Sequence, residues 1–527
     1  MLTALWQSAT ILAMQMTRLT RISILLAVFF ALDKVAALVR QVLIARVFGL
    51  SAELDAFNVA NNIPDLLFAL ISGGALAIAF IPVLSETMTK EGREKAWVLF
   101  SRVANLAFIV TAFLAVLVAI FADAMVGWEL GIAPGFSEAQ RGLVVSLMRL
   151  NLIATLIFSI SGLVMAGLQA NQHFLLPAMA PLLYNIGQIF GALILSPERG
   201  ITIGGFTLPA FGLGVHGLVY GVMLGALLHL GIQIPGLIKY QFQWAASLNI
   251  RDQAVQKVLR LMGPRVLNIF IIQLIFLVRD NLASRLTEGS VTALAYGWMI
   301  QQLPETLIGT AIGTALLPTL SEQVARHEGQ VFKETVERAM KVLVALTMPL
   351  IAIIGLGIQP LLYLAFGFDQ AGTDLLLWVT RGYLVGLTGH CLLELAARAF
   401  YARQNALIPL AGSILNVIVY IALGSQLFRP LGAAGISLTD SVAFTCQAFF
   451  LIVMLNRQLV EKFSIGGAFV HGLFAMLTSG VVMFVLMTLS DGTSLLVLSA
   501  MAVGGMALAS LMAIPWVWRE MRMLLRL

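Results

Sequence analysis

The chain has 527 residues, of which 60% are hydrophobic and only 11% charged, with a net charge of +6. Soluble domains carry roughly a quarter charged residues, so a soluble fold is excluded. The basic residues are spread over short loops rather than gathered in one patch, which argues against a nucleic-acid partner. The length accommodates about fourteen membrane spans of some 20 residues with short connections, and leaves no room for a soluble domain. Cys391 and Cys446 both lie in apolar segments and predict no stabilising disulfide.

Residues 1–20 are apolar but lack a basic start and a small-residue cleavage pattern, so they read as an interfacial lead-in. Apolar runs then predict spans at 22–48, 56–88, 98–123, 140–169, 174–196, 211–238, 263–286, 291–322, 334–358, 373–400, 405–427, 432–456, 467–489 and 494–517. Lysines and arginines concentrate on one set of connections, including Lys90, Arg93, Lys95, Lys239, Arg251, Arg326, Lys333, Arg403 and Arg457. The alternate set carries mainly Asp123, Glu129, Glu138, Asp369, Asp374 and Asp491. The positive-inside bias places both termini in the cytoplasm.

The first two spans carry the most informative charges. A charge at bilayer depth costs at least about 2.5 kcal/mol, so it persists only when facing a bundle interior or a watery cavity. The first span holds Asp33, Lys34 and Arg40, and the second holds Asp55, Asn61, Asn62 and Asp65. On a helix Asp33 and Arg40 lie nearly in line, with Lys34 offset by about a quarter turn. One reading is an intrahelical ion pair with an interfacial lysine. The other has Lys34 and Arg40 presenting cations to an anion, a task suited to the arginine fork. Asp55 either caps its helix or joins Asp65 in gating a cavity.

Later spans add Arg279 and Asp280, and then His390 and Glu394. Adjacent helical residues point about 100° apart, which predicts that Arg279 and Asp280 do not simply pair and that at least one faces a cavity. Glu394, with His390 four residues earlier, binds a coupling proton or cation, or is a neutralised buried glutamate, or bonds a neighbouring helix. Arg149 has no assigned role. No metal cluster, nucleotide loop or catalytic triad is evident, so the expectation is a non-enzyme without a metal or other cofactor.

The chain also repeats internally. Ala79–Glu86 (AFIPVLSE) returns as Ala315–Glu322 (ALLPTLSE), and Gln169–Pro177 (QANQHFLLP) returns as Tyr401–Pro409 (YARQNALIP). Both pairs occupy equivalent places in successive six-span halves, and Pro64 and Pro304 kink the second span of each. Because six is even, the halves run in the same sense about an axis along the membrane normal, a parallel-repeat transporter plan. The expected fold is therefore all-α and polytopic. Its expected domains are a six-helix lobe at 1–240, a second at 241–460, and two additional helices at 461–527.

These residues also carry a family resemblance. Val39–Gly49 (VRQVLIARVFG) followed by Glu53–Phe57 (ELDAF) resembles the opening signature of MurJ/MviN, the bacterial lipid II flippases. Ala133–Phe136 (APGF), Pro177–Asn185 (PAMAPLLYN), Gly313–Ser321 (GTALLPTLS) and Ala399–Arg403 (AFYAR) resemble its later motifs, in order along nearly the whole chain. The resemblance implies two lobes of the MATE-like flippase plan around an arginine-lined cavity, with the last two helices forming a groove for a polyprenyl tail. It implies transport of the undecaprenyl-pyrophosphate-linked peptidoglycan precursor from inner to outer leaflet by alternating access, driven by membrane potential, Na+ or H+. It further implies the bacterial inner membrane, and cell-wall synthesis proteins as the class of protein partner.

Carried over position by position, Arg40 and Asp55 match family residues, and Lys34 stands where another cation is usual. Phe68 and Met299 stand where the family commonly has cavity arginines, Asn62 stands where some members have lysine, and Arg279-Asp280 departs from the usual order. The expected substrate-binding set is Lys34, Arg40, Asn62 and Arg279. The expected gating or ion-coupling set is Asp33, Asp55, Asp65, Asp280 and Glu394. The rival readings are a flippase for another polyprenyl-linked glycan, a MATE-type drug/cation antiporter, and a non-transporting membrane scaffold.

Overall fold

The computed structural model describes residues 18–524 apart from 72, 73, 201, 204 and 491. Most of the apolar lead-in, Gly73, Asp491 and Arg526 lie outside the described residues. The chain is helical nearly throughout: α1 (Arg18–Phe48), α2 (Ala52–Ile71), α3 (Gly74–Glu91), α4 (Arg93–Gly127), α5 (Glu138–Ala170), α6 (Leu175–Phe190), α7 (Val215–Gly231), α8 (Ile234–Lys239) and α9 (Gln253–Ala283). Then come α10 (Ser290–Glu305), α11 (Ala311–Ala325), α12 (Gly329–Gly357), α13 (Gln359–Phe366), α14 (Gln370–Val385), α15 (Leu387–Ala402), α16 (Leu407–Arg457), α17 (Gly466–Leu489) and α18 (Leu495–Leu524). Nine helical stretches among the described residues are long and apolar enough to cross a membrane.

Among the described residues, the one departure from helix into strand is a ribbon between α6 and α7, where Thr202–Ile203 pairs antiparallel with Phe206–Thr207. Several helices are interrupted where the sequence relaxes the backbone. α10 passes into α11 through a single π-helical turn, Thr306–Thr310, directly after Pro304. Inside α16 the backbone breaks at Gly432, where φ is 60°, two residues after Pro430. A side chain at that φ would be strained, so glycine is required. The break falls between the predicted spans 405–427 and 432–456, which are joined by a kink rather than a loop.

The helices form two compact units. The first contains residues up to 48 with 60–126 and 138–270, and the second contains 49–59, 127–137 and 271–527. In the first, Trp97, Phe100 and Phe242 meet edge to face beside buried Phe80 and Leu163. The Trp97 indole donates to the Tyr240 carbonyl, and Arg102 pairs with Asp252 at 2.5 Å, so the connection after α8 is strapped onto α4. Helices α6 and α7 approach backbone to backbone: a Cβ on Gly187 would sit 2.4 Å from the Gly225 Cα, and one on Gly191 would sit 2.7 Å from the Gly221 Cα. With little hydrophobic drive between helices in lipid, such close small-residue packing is a main source of association.

In the second unit, α11, α12, α15 and the second half of α16 enclose a core around Leu320, Met340, Leu395 and Phe400. The two additional helices, α17 and α18, pack along α12. Gly472 faces Met348, and Gly357 faces Met483 of α17 and Met506 of α18. Their uniformly apolar sequence thus has a partner: they extend the core of the second unit.

Candidate functional site

In the first unit, the charges of α1 are organised by α6. The Arg40 Nη1 donates to the Asn185 side-chain oxygen at 2.9 Å, and the Asn185 amide nitrogen donates to an Asp33 carboxylate oxygen at 2.9 Å. Asn185 is buried, so its one amide bridges the two charges and fixes both along α1. Direct intrahelical pairing of Asp33 with Arg40 is replaced by this bridge. Among the described residues Arg40 Nε is buried without a hydrogen-bond partner. Lys34 lies 4.0 Å from Asp33 but its side chain is 81% exposed, which leaves the ammonium free to meet a ligand.

Asp65 on α2 is exposed. The charge of Arg40 acts on it, so the cluster contains Asp33, Lys34, Arg40 and Asp65 around Asn185. Asn62 is half-buried one turn earlier on α2, and Asn61 accepts from Asn151 of α5 at 2.6 Å. Phe68, where the resemblance leads one to expect a cavity arginine, packs on Phe158 at 5.3 Å, and Phe158 meets Tyr184 edge-on. That wall is aromatic. The site as built offers one anchored guanidinium, one mobile ammonium and nearby acids, and it is suited to a compact polyanion that takes bidentate bonds from arginine.

Asp55 has a different role from capping its own helix. Within the second unit its buried carboxylate accepts from Gly289 N at 2.7 Å, Thr292 N at 2.8 Å and Thr292 Oγ1 at 2.7 Å, which caps the start of α10. In return the Glu288 carboxylate accepts from Ala52 N, at the start of α2, at 2.6 Å. The first turns of two helices that occupy equivalent places in the sequence repeat therefore cap each other. Asp55→Ala removes the acceptor of three donors and is expected to destabilise the protein by about 2 kcal/mol, the upper range for a lost cap. Asp55→Asn, which keeps one acceptor oxygen, should lose less. Thermal unfolding of the purified variants measures both.

The second unit buries a further set of charges. Contrary to the expectation from helical geometry, Arg279 and Asp280 do pair, Nε to Oδ1 at 2.8 Å, and both are buried. The guanidinium is long enough to fold back over the Phe276 ring, 5.1 Å away, and reach the carboxylate of its neighbour. Tyr383, Tyr420 and Asp440 complete its electrostatic surroundings. Met299 is half-buried on α10, next to Trp298, whose ring packs edge-on against Tyr383 and His390.

His390 and Glu394 do not act together. His390 Nε2 lies 3.2 Å from Asp440 and its ring stacks on Phe444, whereas Glu394 pairs with Arg398 one turn along α15. Arg398 also donates to Thr314. The residues that sequence reasoning missed are Asn185, Asp440, Arg381 and Arg398. Asn185 ends the PAMAPLLYN motif, and Asp440 sits in a Thr-Asp-Ser run inside an apolar span, so each left a signal. The groups of His, Cys, Asp and Glu among the described residues include none able to hold a metal ion.

Beside α17 the second unit carries an apolar groove of about 530 Å³, lined by Ile351, Leu356, Leu384, Leu477 and Val481, with Arg381 at its edge. A neighbouring cavity of about 480 Å³ shares Leu356, Arg381 and Phe484 and continues towards α18. Arg381 donates to the Gly355 carbonyl at 2.7 Å and lies over the Trp378 ring.

Comparison with known proteins gives a consistent set of matches. The family model described as "Lipid II flippase MurJ" matches residues 44–502. The lipid II flippase MurJ of Burkholderia cenocepacia is 29% identical over 449 residues, covering 83% of this chain and 84% of that protein. The probable lipid II flippase MurJ of Haemophilus influenzae is 28% identical over 478 residues, covering 85% and 89%. A solved MurJ structure in an inward closed conformation superposes with a TM-score of 0.75 at 21% identity, over 92% of this chain and 98% of the other. An inward-facing multidrug resistance MATE family transporter superposes with a TM-score of 0.65 at 15% identity, over 81% and 94%.

Proposed function

The chain belongs to the lipid II flippase MurJ family, and on that premise we propose that it carries lipid II, the polyprenyl-pyrophosphate-linked precursor of peptidoglycan, from the inner to the outer leaflet. The protein is a membrane protein of the MATE-like plan, and its family places it in the bacterial inner membrane. The observation that carries the headgroup reading is the Asp33–Asn185–Arg40 bridge, which holds a guanidinium in place beside an exposed Lys34. Arg40 binds the pyrophosphate through its fork and Lys34 adds a mobile charge. Asp65 supplies the opposing charge that releases Arg40 when the headgroup leaves. Transport proceeds by alternating access, with Asp55, which holds the mutual caps at the starts of α2 and α10, as a gating residue.

The polyprenyl tail lies in the apolar groove along α17. A charge moving across the membrane potential gains roughly 2.3 kcal/mol per 100 mV, so the fixed charges of the site give transport a driving force. A MATE-type cation antiporter shares the fold, but such a site would be dominated by acids and would have no use for the groove beside α17. Val481→Gln, placed in that groove, should slow flipping of long-chain polyprenyl lipid II more than that of short-chain analogues in proteoliposomes. Equal slowing of both would remove the tail from the groove.

The orientation that follows from the positive-inside bias has both termini in the cytoplasm. Single cysteines in the Lys90–Lys95 loop should resist an impermeant maleimide applied to intact cells, and a cysteine beside Asp369 should react. The reverse pattern would invert the topology and the direction of transport.

A further inference from the structure

A second polar cavity, of about 530 Å³, opens in the second unit where the ends of α11, α12, α15 and α16 meet. Its walls include Gln323 and His327 from the end of α11, Phe332 and Lys333 from the start of α12, Arg403 at the end of α15, and Glu461 after α16. None of these contributes to the site proposed for the lipid II headgroup or to the groove beside α17. Arg403 is braced over the Phe332 ring, 5.9 Å from its centroid.

Two atoms on these walls have no partner among the described residues. Arg403 Nη1 is a buried donor, and Gln323 Oε1 is a buried acceptor on a side chain whose nitrogen is occupied by Thr335. Buried polar atoms are nearly always hydrogen-bonded, so a donor and an acceptor left over in one cavity call for a ligand that supplies both complements. The charge balance points the same way. Lys333 is neutralised between Glu337 at 2.9 Å and Glu461 at 3.7 Å, and Lys341 also bonds Glu337 at 2.6 Å. No carboxylate lies within ion-pair distance of Arg403 among the described residues, so its guanidinium faces the cavity without an ion-pair partner. The start of α12 adds to this, because Glu328 makes no side-chain cap at the positive end of that 29-residue helix.

We propose that this cavity binds the headgroup of an anionic glycerophospholipid bearing a free hydroxyl, of the phosphatidylglycerol type. The phosphate accepts from Arg403 Nη1 and the headgroup hydroxyl donates to Gln323 Oε1. A lipid suits the position better than a soluble phosphate: α12 and α16 are both long enough to cross the membrane, and lipid headgroups gather at the ends of such helices. Val460, fully exposed at the cavity mouth, offers an apolar contact for the acyl chains. The ligand is a resident lipid rather than cargo, and this assignment does not depend on the flippase reading.

Native mass spectrometry of the full-length protein, with phosphatidylglycerol, phosphatidic acid, phosphatidylcholine and glycerol phosphate as separate probes, tests it. The wild type should retain one phosphatidylglycerol in preference to phosphatidylcholine, and Arg403→Ala should weaken that retention about tenfold, the weight of one charge-assisted hydrogen bond. Arg403→Lys, which keeps the charge and guards against a folding defect, should fall between them. Gln323→Leu should lower the preference for phosphatidylglycerol over phosphatidic acid. Equal retention by the wild type and all three variants would overturn the site, and tight binding of glycerol phosphate without lipid would overturn the lipid assignment.

Discussion

Arg40→Ala is expected to reduce flipping of lipid II to the protein-free background while the protein still inserts and melts near the wild-type temperature. The half-buried guanidinium fills no core position; what the substitution removes is the fork proposed to bind the pyrophosphate and one end of the Asn185 bridge. Lys34→Ala should weaken transport without abolishing it, and Lys34→Arg should retain part of it, because the exposed ammonium contributes charge more than geometry. Asn185→Ala leaves every charge in place but releases Arg40 from Asp33, so its loss of transport should exceed its loss of stability. Leaflet-accessibility kinetics and thermal unfolding, measured on the same preparations, separate these effects.

Arg279→Ala should act mainly through stability. It removes the guanidinium that bonds fully buried Asp280 in a unit that also buries Asp440, and breaking a buried pair in this way costs about 3–5 kcal/mol. Replacing both partners, in Arg279→Met with Asp280→Asn, should recover most of that loss, since the desolvated charges then disappear together. Denaturation of the two single variants and the double variant gives the coupling. A second expectation is that Arg279 substitutes for the cavity cations that the resemblance implies at positions 68 and 299. Recovery of transport by Met299→Arg in the Arg279→Ala background, without recovery of stability, would assign Arg279 to the headgroup.

The helical plan was legible because membrane-length apolar runs leave few alternatives, and because the repeats around Pro82 and Pro318 mark equivalent positions. What the linear pattern did not carry was which polar groups meet. Helical spacing placed Asp33 in line with Arg40 but gave no hint that Asn185, some 145 residues further on, would stand between Arg40 and Asp33. The 100° offset between Arg279 and Asp280 argued against a pair, yet the reach of an arginine side chain exceeds that separation. Asp55 was read against its own helix because a cap is ordinarily local, whereas its acceptors serve a helix that begins more than 230 residues later. His390 was matched with Glu394 on i,i+4 spacing, but burial brought Asp440 of another helix closer. In each case periodicity gives the face a residue occupies, and tertiary packing decides its partner.

The central claim is that the cations of α1 recognise the pyrophosphate headgroup. The most direct test is leaflet accessibility of lipid II in proteoliposomes containing the wild type or the Lys34→Ala, Arg40→Ala double variant. The wild type should equilibrate lipid II between leaflets, and the folded double variant should not. Wild-type rates from the double variant would contradict the account and favour a cation transporter or a non-transporting scaffold on the same fold.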